Sequence, residues 1–281
     1  MAPAEGHGHA DPIRVVHLAA PSCWWSWGYE AVFNRLPLVY GNQVDIRVLT
    51  YCVYDNFDKW LEHNGVTFDE LGPWMSESAE IMGVPMITSY RKGMFPSTMF
   101  PASMAAMAAN RQGGHKGARF LRALVRRCVV EGQNITDDAI LQEAAAEASL
   151  DLLRFRADYA DPEARRAEYE AQGKGLPHLP LGFFNLAVVH GHRTVLLDHA
   201  FEPSVVEDAI EWLSGGRLRK DPPTDIVAYL RAHGPAPLIE LRRVFGLPEP
   251  ALNERLSALR REGSVDSVML SGGPHWQSKG A

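Results

Sequence analysis

The residues best suited to chemistry lie in Pro21-Ser22-Cys23-Trp24-Trp25-Ser26-Trp27, where Cys23 follows a short apolar run and opens a helical pattern. A thiol at a helix start faces unpaired backbone N–H groups and the positive end of the helix dipole. Both favour thiolate over thiol, and the thiolate is the nucleophile. The flanking proline, serine and tryptophans predict an exposed turn, so Cys23 reads as a reactive thiol rather than a small buried residue. Three positions later stands Ser26, where a second cysteine would resolve a mixed disulfide. With serine there, Cys23 can form a mixed disulfide but cannot release it locally. The other two cysteines read as core residues. Cys52 shares a strand face with Val44, Ile46 and Val48, and Cys128 shares a helix face with Phe120, Leu121 and Leu124.

The elements around Cys23 follow from periodicity. Ile13 to Leu18 predicts a buried strand ending at Ala19-Ala20-Pro21-Ser22, and apolar residues from Trp24 to about Leu36 recur at helical spacing. Gly41-Asn42 breaks the chain, and Val44 to Val53 alternates as a half-buried strand. Strand, helix, strand in so few residues is the start of a βαβ unit. From about Phe57 to Ala171 the pattern is helical, with starts expected at Thr136, ahead of Asp137-Asp138, and at Asp161-Pro162-Glu163. Strand character returns at Leu181 to Val189, followed by a turn at His190-Gly191-His192-Arg193, a strand from Thr194 to Leu197 and a helix from Pro203 to Leu213. The order βαβ, helical block, ββα is an α/β, thioredoxin-like fold with a large helical insertion. Ser214-Gly215-Gly216 and Asp221-Pro222-Pro223 mark a linker. Beyond it, helices are expected at Thr224–His233, Pro237–Phe245 and Pro250–Arg261, and strand-like pieces at Val265–Leu270 and His275-Trp276. Three helices and a hairpin are the winged helix-turn-helix plan. The expected division is a flexible arm over 1–12, a thioredoxin-like domain over 13–216 with its insertion at about 57–171, and a winged-helix-like module over 222–281.

Composition narrows the function. The net charge is −6 over 281 residues, the isoelectric point is about 6.0 and mean hydropathy is −0.18. No run approaches the roughly 18 apolar residues of a membrane span. The N-terminus lacks the basic start and apolar run of a secretory signal, so a cytoplasmic location is expected, where thiols stay reduced. From Pro222 onward seven basic residues nearly cancel against six acids, and Glu249 and Glu254 sit near the start of the third helix. That balance is thin for phosphate contact, so nucleic acid is not favoured, and a protein-interaction or dimerisation role is. There is no phosphate-cradling glycine loop and no metal-ligand spacing; His7 with His9 and His190 with His192 are weak pairs. No metal and no cofactor is expected. Met94, Phe95, Met99, Phe100, Met104 and Met107 in the helical block suit either a client groove or, by default, core packing.

The Cys23 segment, continued as Gly28-Tyr29-Glu30, resembles the active-site segment of the cytoplasmic branch of the DsbA-like thioredoxin-fold family, the group that includes adaptors of the Spx/ClpXP system. The family motif is roughly Cys-x-x-(Cys/Ser)-Trp with a Glu-Pro shortly after; this chain keeps Glu30 but has Ala31 in place of the proline. Cys128-Val129-Val130-Glu131-Gly132-Gln133-Asn134-Ile135 is similar to a stretch of the family's helical domain, and Thr98 to Gln112 to its preceding helix, so the likeness spans about Ile13 to Leu213. The resemblance implies a cis-proline facing the thiol, with Pro180 the candidate and Pro177 its rival, and Leu179 offering backbone groups to a bound partner.

Three functions follow as expectations. The first is a DsbA-family thiol-disulfide oxidoreductase or isomerase with a monothiol Cys-x-x-Ser site, in which Cys23 attacks, Ser26 is a hydrogen-bonding neighbour, Pro180 guides the substrate, and Trp24, Trp25 and Leu179 bind a protein client or low-molecular-weight thiol. The second is a non-catalytic protein-binding adaptor using the same groove. The third is a redox-linked DNA-binding regulator.

Overall fold

The computed structural model describes residues 12–89, 95–113, 116–160, 166 and 186–280. Strand β1 (Ile13–Ala19) runs through the interior with Val15, Val16 and His17 all buried, as expected of a strand covered on both faces. It pairs in parallel with β2 (Val44–Thr50), Ile13 opposite Val44 and Ala19 opposite Thr50, so the chain between them crosses over as helix. That crossover was read as one helix and is two, α1 (Trp24–Gly28) and α2 (Glu30–Tyr40), divided at Tyr29. Gly28, the last residue of α1, leaves little room for a side chain, since a Cβ there would lie 2.5 Å from the Met82 sulfur.

The helical block follows as α3 (Phe57–Asn64), α4 (Leu71–Met82), α5 (Phe100–Asn110), α6 (Lys116–Val129), α7 (Asp138–Glu147) and α8 (Leu152–Tyr159). No strand occurs in it among the described residues. The cap of α7 lies one residue later than expected. Asp137 accepts from the Ala139 N–H at 2.9 Å, while Thr136 turns its hydroxyl to the Asn134 side chain. A carboxylate is the stronger acceptor at a helix start. The helix start expected at Asp161-Pro162-Glu163 lies outside the described residues.

The chain returns as β3 (Leu186–His190) and β4 (Arg193–Leu197), an antiparallel hairpin around Gly191 and His192, with Gly191 at φ +57°. The expected strand residues 181–185 lie outside the described residues. Strand β3 also pairs antiparallel with β1, which gives the sheet order β2-β1-β3-β4, and α9 (Pro203–Ser214) covers it.

After the linker come α10 (Ile226–His233), α11 (Leu238–Phe245), α12 (Glu249–Arg261) and the antiparallel hairpin β5 (Val265–Leu270) and β6 (Gly273–Ser278). Their apolar residues, including Ile226, Leu241, Leu252 and Val265, form a second buried cluster that also takes in Ala31 of α2, while Ile239 and Leu270 pack against the larger core. The linker is pinned rather than free, because Gln43 exchanges two hydrogen bonds with the Arg219 backbone and the Asp221 N–H donates to the Val39 carbonyl. The hairpin tip presses on the larger unit. A Cβ on Gly272 would stand 2.9 Å from the Met86 Cα and 3.1 Å from Val130.

Two outcomes test this packing. Gly272→Ala forces a methyl against backbone, so a stability loss of about 1–3 kcal/mol and faster protease cleavage within 214–223 are expected; an unchanged melting and digestion pattern contradicts the docked hairpin. His17 is buried, stacks on Phe33 at 4.8 Å, meets the tilted Tyr29 ring at 4.7 Å, and has no hydrogen-bond partner on either ring nitrogen among the described residues. Burial lowers its pKa to about 3. The unfolded chain therefore takes up a proton near pH 6.5 that the folded chain refuses, so this contribution is intact above pH 6.5 and is lost as pH falls toward 3. The expected loss approaches about 1.4 kcal/mol per pH unit, and His17→Phe should flatten it in urea titrations run across that window.

Candidate functional site around Cys23

Cys23 is the residue before α1, in extended conformation at φ −83° and ψ 111°, and its side chain makes no capping hydrogen bond. Its N–H donates to the Ala20 carbonyl at 3.1 Å and its carbonyl accepts from the Ser26 N–H at 3.0 Å. The Ser26 hydroxyl accepts from the Ala20 N–H at 3.3 Å. Ser26 thus closes the turn between β1 and α1, and its recorded bond is to the backbone of that turn.

The turn is not exposed, contrary to the reading from its proline and serine. Pro21 and Ser22 are buried, and Cys23 keeps 7% of its surface, Trp24 7% and Trp25 8%. The reason is tertiary. Trp24 meets Trp74 edge-on at 5.2 Å and Trp60 at 6.3 Å, partners supplied by α3 and α4. Trp25 meets His199 at 5.0 Å and stacks on Phe201 at 5.9 Å, ahead of α9. Both indoles expected to flank a client are therefore mostly spent on packing. Trp27 turns to the C-terminal unit, donating its indole N–H to the Pro85 carbonyl at 3.2 Å and lying 6.3 Å from the His275 ring.

Cys128 is a buried core residue as the sequence predicts, whereas Cys52 is only half-buried at the margin of the core. Burial pushes the Cys52 thiol up to about 11, and its Sγ bonds the Tyr54 carbonyl at 3.1 Å. Burial pushes Cys128 up to about 12, with a further push from nearby Cys23. Cys128 is thus the electrostatic neighbour of Cys23, yet it stays a protonated thiol at neutral pH and is a poor nucleophile. Met99, Phe100, Met104 and Met107 are buried and Phe95 is half-buried, so the Met and Phe stripe is core. Met94, Pro177, Leu179 and Pro180 lie outside the described residues.

What residue types alone did not reveal is the charged cluster behind the site. Arg122 on α6 is buried and stacks 5.2 Å from the Trp27 ring. It donates to Glu30 at 3.0 Å, to Glu240 at 2.9 Å and to the carbonyls of His233 at 2.7 Å and Pro235 at 3.2 Å. Burial opposes its charge, but Glu240, Tyr229 and Glu30 outweigh that and hold it a cation. Tyr229 donates to Glu240. Glu30, the first residue of α2, therefore serves as a joint between the crossover behind the site and the C-terminal unit. The available signal was four arginines, Arg119, Arg122, Arg126 and Arg127, on a helix otherwise suited to burial, the last three of them buried.

With this geometry in hand, comparison identifies the family. The thioredoxin family model matches residues 18–171, more than half of the sequence. The chain belongs to the thioredoxin family. Its fold is of the DsbA-like type. A probable DsbA oxidoreductase from Streptomyces coelicolor superposes with a TM-score of 0.56 at 18% identity, over 76% of this chain and 94% of that one. The cytosolic disulfide reductase DsbM from Pseudomonas aeruginosa gives 0.56 at 22% identity, over 72% and 98%. Curated relatives match along almost the whole length. The ClpXP adapter protein SpxH of Shouchella clausii is 24% identical over 95% of this chain and 88% of its own. That of Bacillus subtilis is 21% identical over 98% and 92%. Among the described residues no helix is long and apolar enough to cross a membrane, and no three His, Cys, Asp or Glu side chains gather as metal ligands.

The turn geometry yields a direct test. Because Ser26 lies one helical turn from Cys23, Ser26→Cys should give an oxidisable pair: four thiols in the reduced, denatured protein falling to two after mild oxidation. The lost bond to Ala20 should lower stability by about 1 kcal/mol. If all four thiols persist, the turn does not hold dithiol geometry.

Proposed function

We propose that this chain is a protein-binding adaptor built on the DsbA-like thioredoxin fold and working in the cytoplasm. One observation carries the reading. The site holds a lone thiol that is 7% exposed, and its neighbour three residues on is a serine engaged with Ala20. Repeated disulfide exchange needs a resolving thiol and a leaving path. Cys52 and Cys128 are held as thiols by burial. Binding needs only a rigid surface. The full-length likeness to proteins named ClpXP adapters supports the same reading, whereas the disulfide reductase is matched by 72% of this chain.

Under this proposal residues 13–216 form the thioredoxin unit with its helical insertion, and 222–281 form a winged-helix-like unit used for protein contact. Acids at Glu249 and Glu254 near the start of α12 argue against a phosphate backbone there. The hairpin tip, engaged at Met86, is unavailable as a probe of a groove.

A second reading is monothiol exchange at Cys23, favoured by its place at the head of α1 with no capping bond on its side chain. The Cys23 thiolate would attack a disulfide R–S–S–R′, forming Cys23–S–S–R and releasing R′–S⁻, and an external thiol would then free Cys23. In that case Leu179 and Pro180 would guide the partner and Trp24 and Trp25 would offer it their edges, as the family resemblance implies.

The two readings separate on Cys23→Ser. Wild-type and variant chains are each used to retrieve a partner from their own cell extract, and ClpXP-dependent turnover of that partner is then measured with either chain added. Retrieval and faster turnover by both are expected for an adaptor. Loss of both with the variant, together with a mixed disulfide at Cys23 in the wild type, transfers the assignment to thiol exchange.

A further inference from the structure

A cleft of about 360 Å³ opens between α6, the end of α10 and β6, lined by Arg119, Arg126, Arg231, Gly234, Gln277 and Ser278 among others. It lies on the arginine face of α6, away from the face that carries Cys128. Its charge is unbalanced. Arg126 bonds Glu131 and Glu147, and Arg127 bonds Glu147 at 2.6 Å. Those two arginines hold Glu147 below the usual carboxylate range against burial. Neither Arg119 nor Arg231 has a carboxylate partner among the described residues. Four guanidiniums against two carboxylates leave two positive charges in surplus. Arg126 is 6% exposed, and its Nε–H has no acceptor among the described residues.

The cleft also presents main-chain groups of both kinds. The Gly234 N–H returns to the Leu230 carbonyl, Pro235 has no N–H, and the Ala236 N–H goes to Trp276. The carbonyls of Arg231 and Ala232 at the end of α10 therefore lack backbone donors. On β6, Trp276 spends its N–H and carbonyl on Ala236, away from β5. Alternation along a strand turns the Ser278 N–H and carbonyl the same way, into the cleft, where no described residue takes them. A bare inorganic anion would meet the arginines but also face those carbonyls. A peptide satisfies both.

We propose that this cleft binds an extended acidic segment of a partner protein, with its carboxylates on Arg119 and Arg231 and its main chain along the Ser278 edge of β6. Guanidinium forks suit carboxylates, and strand-edge pairing supplies a second recognition element. The site is independent of Cys23, so Cys23→Ser is expected to bind as the wild type does, whichever reading of the thiol holds.

The test uses the full chain and fluorescence anisotropy with a labelled Ala-Glu-Glu-Ala-Glu-Glu-Ala peptide and its glutamine counterpart. Binding of the glutamate peptide that weakens with salt is expected. The glutamine peptide, and the Arg119→Ala/Arg231→Ala double variant, should each bind at least about tenfold more weakly. Arg231→Glu, at an exposed position, gives the same loss with least risk to folding, checked by an unchanged melting curve. Succinate at matched carboxylate concentration should not displace the peptide. Equal affinity of the folded variants for the acidic peptide, or displacement by succinate as effective as by unlabelled peptide, overturns the proposal.

Discussion

The docking of the C-terminal unit behind the Cys23 turn depends on a buried cation, Arg122. Removing a guanidinium from water costs several kcal/mol unless its donors all find acceptors. Arg122 finds Glu30 at the start of α2, Glu240 on α11 and the carbonyls of His233 and Pro235 at and just beyond the end of α10. Those acceptors come from both sides of the linker, so the ion is stable only when the two units are docked. Apolar contacts cross the same joint, with Ala31 in the smaller cluster and Ile239 and Leu270 packed against the larger one, and the ion adds a directional constraint to that packing.

The remaining contacts follow this joint. Arg35 on α2 donates to Glu207 and to the Val244 carbonyl, both at 2.5 Å. Arg243 on α11 reaches back to the Met82 carbonyl at 3.0 Å and to Glu202 at 2.8 Å. Trp27 lies between Arg122 and His275. The three tryptophans of the motif thus lead in three directions: Trp24 to the helical block, Trp25 to the approach of α9, and Trp27 to the C-terminal unit. A dithiol oxidoreductase needs little of this. A platform that must present a fixed surface across two units uses all of it, which is the physical basis of the adaptor reading proposed above.

Much of the architecture was legible in local pattern. The buried run at Ile13, the alternation from Val44 and the His190-Gly191-His192-Arg193 turn each carry their own periodicity or turn chemistry, and each became the expected element. Cys128 was legible as a core residue because its helix face is shared with Phe120, Leu121 and Leu124. Burial of the Cys23 turn was not legible. Pro21 and Ser22 signal a turn, and turns usually face water, but Trp60, Trp74, His199 and Phe201, which cover this one, are dozens of residues or more away in the chain.

By itself the sequence determined the order and type of the elements, the serine opposite the lone thiol and the thin charge balance of the last sixty residues, because these depend on neighbours within a few positions. Tertiary structure alone decided how little of Cys23 reaches water, which acids meet Arg122 and where the hairpin tip rests. A charged residue on a helix reads as solvated until its acceptors are known. Here those acceptors are brought together from far-separated stretches of chain, and only folding assembles the pocket in which a buried cation is tolerable.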